Sequence, residues 1–200
     1  MVKTGVILTA FTLALMAPAN AKAQNTYNDA NTAYRAHDFA KAVELFTAVI
    51  ARDAEATDLQ PAYFFLANSL DNLYTPSKKG EAGNDALLKD AVKYYRIAAD
   101  RLNTSGNPEH KKLAKISQQY LVSVYADKLN DPATAEQLLR DMIQADASDL
   151  ANYFTLAHLY EDTNEYVEAE RTLQAAKSAR PNDPATGNRL AAFYNRHPER

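Results

Sequence analysis

The feature that most constrains this chain is an apolar pattern that restarts. Leu156, Ala157 and Tyr160 recur 34 residues later as Leu190, Ala191 and Tyr194. The stretch 149–181 around the first set reads as two short helices. Leu150 to Thr163 carries Tyr153, Leu156, Ala157 and Tyr160, and Tyr166 to Ala179 carries Tyr166, Ala169, Leu173 and Ala176. Both spacings place the apolar groups on one helical face. Asn164-Glu165 supplies a polar turn, and Pro181 stops the second helix because it lacks an N–H and crowds the turn before it. A lone helix pair cannot bury its apolar face, so a fixed period of this length predicts a stacked array.

The rest of the chain fits the same ruler. Residues 24–54 form a first pair: Tyr27, Ala30, Ala33 and Tyr34 mark one helix, His37-Asp38 the turn, and Phe39, Ala42, Val43, Phe46, Val49 and Ile50 the next. Residues 60–102 form a second, with Tyr63, Leu66, Ala67 and Leu70 in one helix and Ala91, Tyr95 and Ala98 in the other. Between these lies 74–85, with Pro76, Gly80 and Gly83 among polar residues, which predicts an inserted loop. A third pair spans 109–147. Pro108 opens it, Leu121, Val122 and Tyr125 mark its first helix, and Pro132, Ala135, Leu139 and Met142 its second. The fourth pair is 149–182, and 184–196 repeats a first helix with no second. A terminal helix of this kind either covers an open apolar face or marks a truncated array.

Leu156-Ala157-x-x-Tyr160, followed by Tyr166-x-x-Ala169-x-x-x-Leu173-x-x-Ala176 and Pro181, resembles a tetratricopeptide repeat. The likeness runs through nearly all of the chain after residue 23. It implies an all-α, right-handed helical-hairpin solenoid of four helix pairs plus a C-terminal helix. It also implies a concave groove, lined by the first helices, that binds another protein or an extended peptide, and it brings no common catalytic centre and no cofactor. Carried over to this sequence, the groove face comprises Tyr27, Asn31, Tyr34 and Arg35 in the first pair and Phe64, Asn68, Asp71 and Asn72 in the second. The third gives Gln119, Ser123 and Asp127, the fourth Phe154, His158, Glu161 and Asp162, and the terminal helix Asn188, Asn195 and Arg196. Some family members clamp a peptide carboxylate with basic residues. Tyr27, Phe64 and Gln119 stand where lysine would be expected, so that likeness does not extend here. The aromatics together with Asp71, Asp127, Glu161 and Asp162 imply an apolar peptide carrying a basic group. The competing reading is that Tyr27, Phe64 and Phe154 only pack between helices.

Composition narrows the function classes. The net charge is −3, and removal of Lys3 and Lys22 with a leader makes it more negative, so no basic face for nucleic acid is present. The chain has no cysteine, which excludes disulfides, thiolate metal sites and a cysteine nucleophile. Its four histidines, at 37, 110, 158 and 197, show no metal-ligand spacing. No phosphate loop or nucleophile elbow occurs. Met1 to Ala23 combines Lys3, an uncharged apolar run from Gly5 to Met16, and small residues that permit cleavage after Ala21 or Ala23. That is the layout of a secretory signal peptide, and the run is too short for a span of about 20 residues. An uncleaved anchor is the alternative.

These observations predict an exported, periplasmic or secreted, non-enzymatic interaction scaffold with no metal, no nucleic-acid partner and no stable membrane span. Two other classes stay open. One is an accessory or fragment of a larger enzyme or secretion complex, and the other is a self-assembling repeat protein.

Overall fold

The computed structural model describes residues 19–52 and 56–199. The signal-peptide reading falls mostly on residues 1–18, outside the described residues. Among the described residues the chain forms nine α-helices and no strand. They are α1 (Ala19–Arg35), α2 (Phe39–Arg52), α3 (Pro61–Leu73), α4 (Ala82–Asn103), α5 (Pro108–Ser123), α6 (Pro132–Ala145), α7 (Leu150–Asp162), α8 (Tyr166–Ala179) and α9 (Pro184–Arg196). Short 3₁₀ turns precede α3 and follow it, and a π-helical turn, Val124–Leu129, continues α5. Each helix packs mainly on its neighbours in sequence. The architecture is thus the all-α helical-hairpin solenoid that the period implies.

Local chemistry sets the helix starts. Asn107, Asp131, Asp149 and Asp183 accept a backbone N–H of the first turn of α5, α6, α7 and α9, and Pro61, Pro108, Pro132 and Pro184 sit in the first turn of their helices. A capping oxygen satisfies one of the orphan donors, and proline there lacks the N–H that would be orphaned. The tight hairpin turns share one device. His37, Asn130 and Asn164 adopt φ of 59°, 56° and 62°, the left-handed conformation that ends a helix and reverses the chain.

The inserted stretch 74–85 is shorter as a loop than the sequence implied. α4 begins at Ala82, because Asn84 folds back on Thr75: its Oδ1 accepts the Thr75 N–H at 2.8 Å and its Nδ2 donates to the Thr75 carbonyl at 3.1 Å. This tie lets Gly83 enter the helix despite its low propensity.

Two core clusters run through the array. Ala42 with Phe46, Ala91 with Tyr95, Ala135 with Leu139 and Ala169 with Leu173 repeat one motif on the second helices, and all four alanines are fully buried. The small residue lets two helix backbones approach, and the larger one, four positions on, fills the space beside it. The first cluster spans α1 to the π turn; the second runs from Val122 to Phe193. Polar stitches join successive pairs. The Tyr160 hydroxyl donates to Glu136 Oε1 at 2.7 Å, and 34 residues on Tyr194 donates to Glu170 Oε1, also at 2.7 Å.

The π turn has a register cause. Leu121 stands 35 residues before Leu156, whereas Asn130 stands 34 before Asn164. The third pair therefore holds one extra residue between its core marks and its turn. In the first and fourth pairs the closing N–H bonds back five residues, Asp38 to Ala33 at 3.0 Å and Glu165 to Tyr160 at 2.7 Å. In the third, Asp131 reaches back six, to the Tyr125 carbonyl at 2.8 Å. A wider turn absorbs the surplus residue.

Candidate interaction groove

The expected groove residues divide into two groups by environment. In the second pair, Phe64, Asn68 and Asp71 are buried, so the expectation that they lie on an open face is corrected. Asn68 is the centre of a network. Its Oδ1 accepts from the Tyr34 hydroxyl at 2.7 Å and from Asn72 Nδ2 at 3.0 Å, and its own Nδ2 donates to the Tyr95 hydroxyl at 3.0 Å. Asp71 pairs with Lys128 at 2.6 Å across to the π turn. Phe64 packs against Phe65, Tyr95 and Tyr120. The physical reason is that partners from α1, α4, α5 and the π turn close over that part of the face. Tyr27 and Tyr34 are half-buried; Tyr27 meets Phe46 edge-on and Tyr34 meets Phe39 and Phe65. Asn31 is half-buried, and Arg35 and Asn72 are exposed.

The second group lines open space. A cavity of about 360 Å³ between α5 with its π turn and α7 is bordered by Gln119, Ser123, Asp127, His158 and Asp162. All five were expected on the groove. Its floor is apolar, built from Val122, Leu139, Met142 and Leu159 of the second core. Asp127 Oδ2 accepts from the Ser123 hydroxyl at 2.8 Å, and His158 Nδ1 lies 2.8 Å from Asp162 Oδ2. No lysine or arginine borders this cavity among the described residues. Sequence reasoning missed Asn152 and Thr155, which also face it. Asn152 adjoins the core mark Tyr153 and is buried, which no local pattern encodes.

α7 has a second trough on its other side, about 420 Å³, shared with α9 and bordered by Phe154, His158, Glu161, Asp162, Arg189 and Arg196. Here the expected residues meet each other. Arg196 donates from Nε and Nη2 to the Glu161 carboxylate at 2.8–3.0 Å, and the Arg189 guanidinium lies 5.2 Å from the centre of the Phe154 ring. His197, half-buried between Tyr166 and Phe193, adds its Nε2 at 3.3 Å from Glu161. Glu161 is therefore a tie between α7 and the α9 end, and Asn188 and Asn195 are exposed on α9. On α5, Ile116 and Tyr120 are exposed at 37% and 38%, an apolar step beside Gln119 that sequence reasoning also missed. Their four-residue spacing was the available signal.

The tyrosine stitches carry a pH consequence. Burial pushes the Tyr95 hydroxyl far above its ordinary ionisation, with Asp71 adding in the same direction. Burial, then donation to Glu136, raises Tyr160 to about 12, and the same bond from Tyr160 holds the Glu136 carboxyl below its usual range. The fold keeps these protons where the unfolded chain releases them near pH 10. Their stabilisation is complete below pH 10 and is lost as pH rises through the folded values. Stability is expected to fall above pH 10 by up to about 1.4 kcal/mol per pH unit for each such tyrosine. Urea titrations from pH 9 to 12 read this slope, and Tyr160→Phe reduces it.

Among the described residues no group of three or more His, Asp or Glu could hold a metal, and no helix is long and apolar enough to cross a membrane.

Comparison with known proteins places this geometry. Residues 128–192 match the tetratricopeptide repeat family model. No curated protein matches the sequence. Among solved structures the chain is similar to a crystal structure of MamA protein, with 15% identity and a TM-score of 0.57 over 88% of this chain and 82% of that one. A MamA double mutant gives 16% identity and 0.54 over 88% and 85%. A further MamA crystal structure gives 14% and 0.54 over 83% and 82%. At such identity the likeness concerns the fold alone. Residues 128–192 thus match the tetratricopeptide repeat model, and the chain as described has the fold of an all-α helical-hairpin solenoid.

Proposed function

We propose that this chain is a non-enzymatic interaction scaffold of the cell envelope. It holds an extended segment of a partner protein on the face made by its first helices. The observation that carries this reading is the open cavity between α5 and α7, where five side chains from two repeats converge over an apolar floor. Side chains held at fixed separations by stacked helices are preorganised, so a partner loses less on ordering. The three-part pattern of residues 1–23 supports export, and repeat proteins of this fold class present extended binding surfaces.

Two measurements test it. The chain without residues 1–23, immobilised and exposed to envelope extract, is expected to retain a defined protein that an Asp127→Lys/Asp162→Lys variant releases. Retention that is identical on both forms counts against the groove. Separately, residues 1–23 fused to a reporter active only outside the cytoplasm are expected to yield activity; a silent reporter counts against export.

A further inference from the structure

Deepening the scaffold reading and resting on it, we infer that the α5–α7 cavity is a specificity pocket for a lysine or arginine side chain of the bound peptide. Asn152 grips the main chain of that peptide a few residues away. Asn152 is the informative residue. It is 3% exposed, its side chain faces the cavity, and among the described residues it makes no side-chain hydrogen bond. The body of the residue is buried while its amide opens on the cavity, so the donors and acceptor stay available to a group that enters there. Its two donors and one acceptor match a peptide unit, which offers one of each.

The far end of the cavity has a different chemistry. Asp127 and Asp162 bring carboxylates from facing helices, each with one oxygen engaged locally, by Ser123 and His158 respectively, and one oxygen left for a ligand. No lysine or arginine lines this cavity among the described residues, although Asp162 also borders the neighbouring trough that holds Arg189 and Arg196. The floor between the two ends is Leu139, Met142 and Leu159, which suits the aliphatic stem of a long cationic side chain. The spacing agrees. Asn152 and Asp162 lie ten residues apart on α7, about 15 Å at the helical rise. An extended peptide covers that in about four residues. A peptide lying along α7 therefore sets an amide on Asn152 and a cationic head between Asp127 and Asp162.

Fluorescence anisotropy with labelled, end-capped heptapeptides tests the pocket. The central residue is lysine, norleucine or glutamate, flanked by leucines, and spermidine serves as a competitor. The lysine peptide is expected to bind at least tenfold tighter than the norleucine peptide, and the glutamate peptide weakest. Asp127→Asn/Asp162→Asn, two exposed positions, is expected to erase the lysine preference. Asn152→Ala is expected to weaken lysine and norleucine peptides alike, about five- to tenfold, with unchanged helix content by circular dichroism. Asn152→Leu, which fills the same space, gives the same loss if the amide bonds the peptide. Equal binding of lysine and norleucine peptides overturns the pocket and leaves the groove reading standing. Spermidine that binds as tightly as the lysine peptide, unaffected at Asn152, also overturns it in favour of a small-cation site. Failure of all three peptides, together with no protein retained from envelope extract, overturns both readings.

Discussion

Replacing Tyr95 with alanine is expected to remove about 3–5 kcal/mol of stability, the usual cost of deleting a fully buried aromatic. The ring is inaccessible to solvent, stacks on Tyr120 at 5.3 Å with planes 8° apart, and lies 6.0 Å from Phe64. It also supplies the oxygen that accepts from Asn68 Nδ2. Its loss thus opens a cavity where α3, α4 and α5 meet and strands a buried amide N–H. In a stacked array stability is close to a sum of repeat terms and neighbour interfaces, so a defect in the middle weakens coupling between the two ends. The urea transition is expected to broaden or split, with the α6–α9 part unfolding separately from α1–α3. Tyr95→Phe separates the causes. It keeps the stacking and removes only the hydroxyl, at about 1–3 kcal/mol. A single transition of unchanged midpoint in Tyr95→Ala would show that the ring does not join the halves.

The second large effect is expected at Phe193. It is the fully buried residue by which α9 closes the second core, and its ring lies 4.8 Å from that of His197 and 5.7 Å from that of Tyr194. Phe193→Ala removes the main apolar anchor of a helix that packs chiefly on α8, and about 3–5 kcal/mol is at stake. Because α9 holds Glu161 through Arg196, its release also frees that carboxylate and bares Leu173 and Ala169. Amide exchange is expected to accelerate across α7, α8 and α9 and to stay unchanged in α1–α4. Arg196→Gln is the control: it cuts the exposed part of the tie and is worth no more than about 1 kcal/mol. Protection in α7 that survives Phe193→Ala would show that α9 leans on the array without supporting it.

Much of this architecture is legible in the residues themselves. The Ala–x–x–x–large pairs at 42/46, 91/95, 135/139 and 169/173 follow from helical period and volume, and all eight residues are buried. The α5–α7 side of the groove is legible for a related reason. Gln119, Ser123, Asp127, His158 and Asp162 lie one step round from core marks, and on a regular helix that step leads to open space. The same rule fails in the second pair, where partners distant in sequence decide the outcome. Asn68 is claimed by Tyr34 and Tyr95, and Asp71 by Lys128, 57 residues on. No local periodicity carries those pairings. Asn152 was hidden because a polar residue beside Tyr153 reads as surface, whereas tertiary packing buries it.

The extra residue at the end of α5 has a wider consequence. It acts as a vernier: the surplus is taken up over one wide turn, so the repeats on either side stay in phase. Within that turn two adjacent residues are given opposite errands. Lys128 reaches back to Asp71 on α3, while Asp127 borders the cavity toward α7. A regular helix would still turn successive side chains by about 100°, but it would not also hold both neighbouring repeats in register. A single insertion thus couples the closed aromatic half of the array to the open acidic half, and makes one helix the shared wall of both.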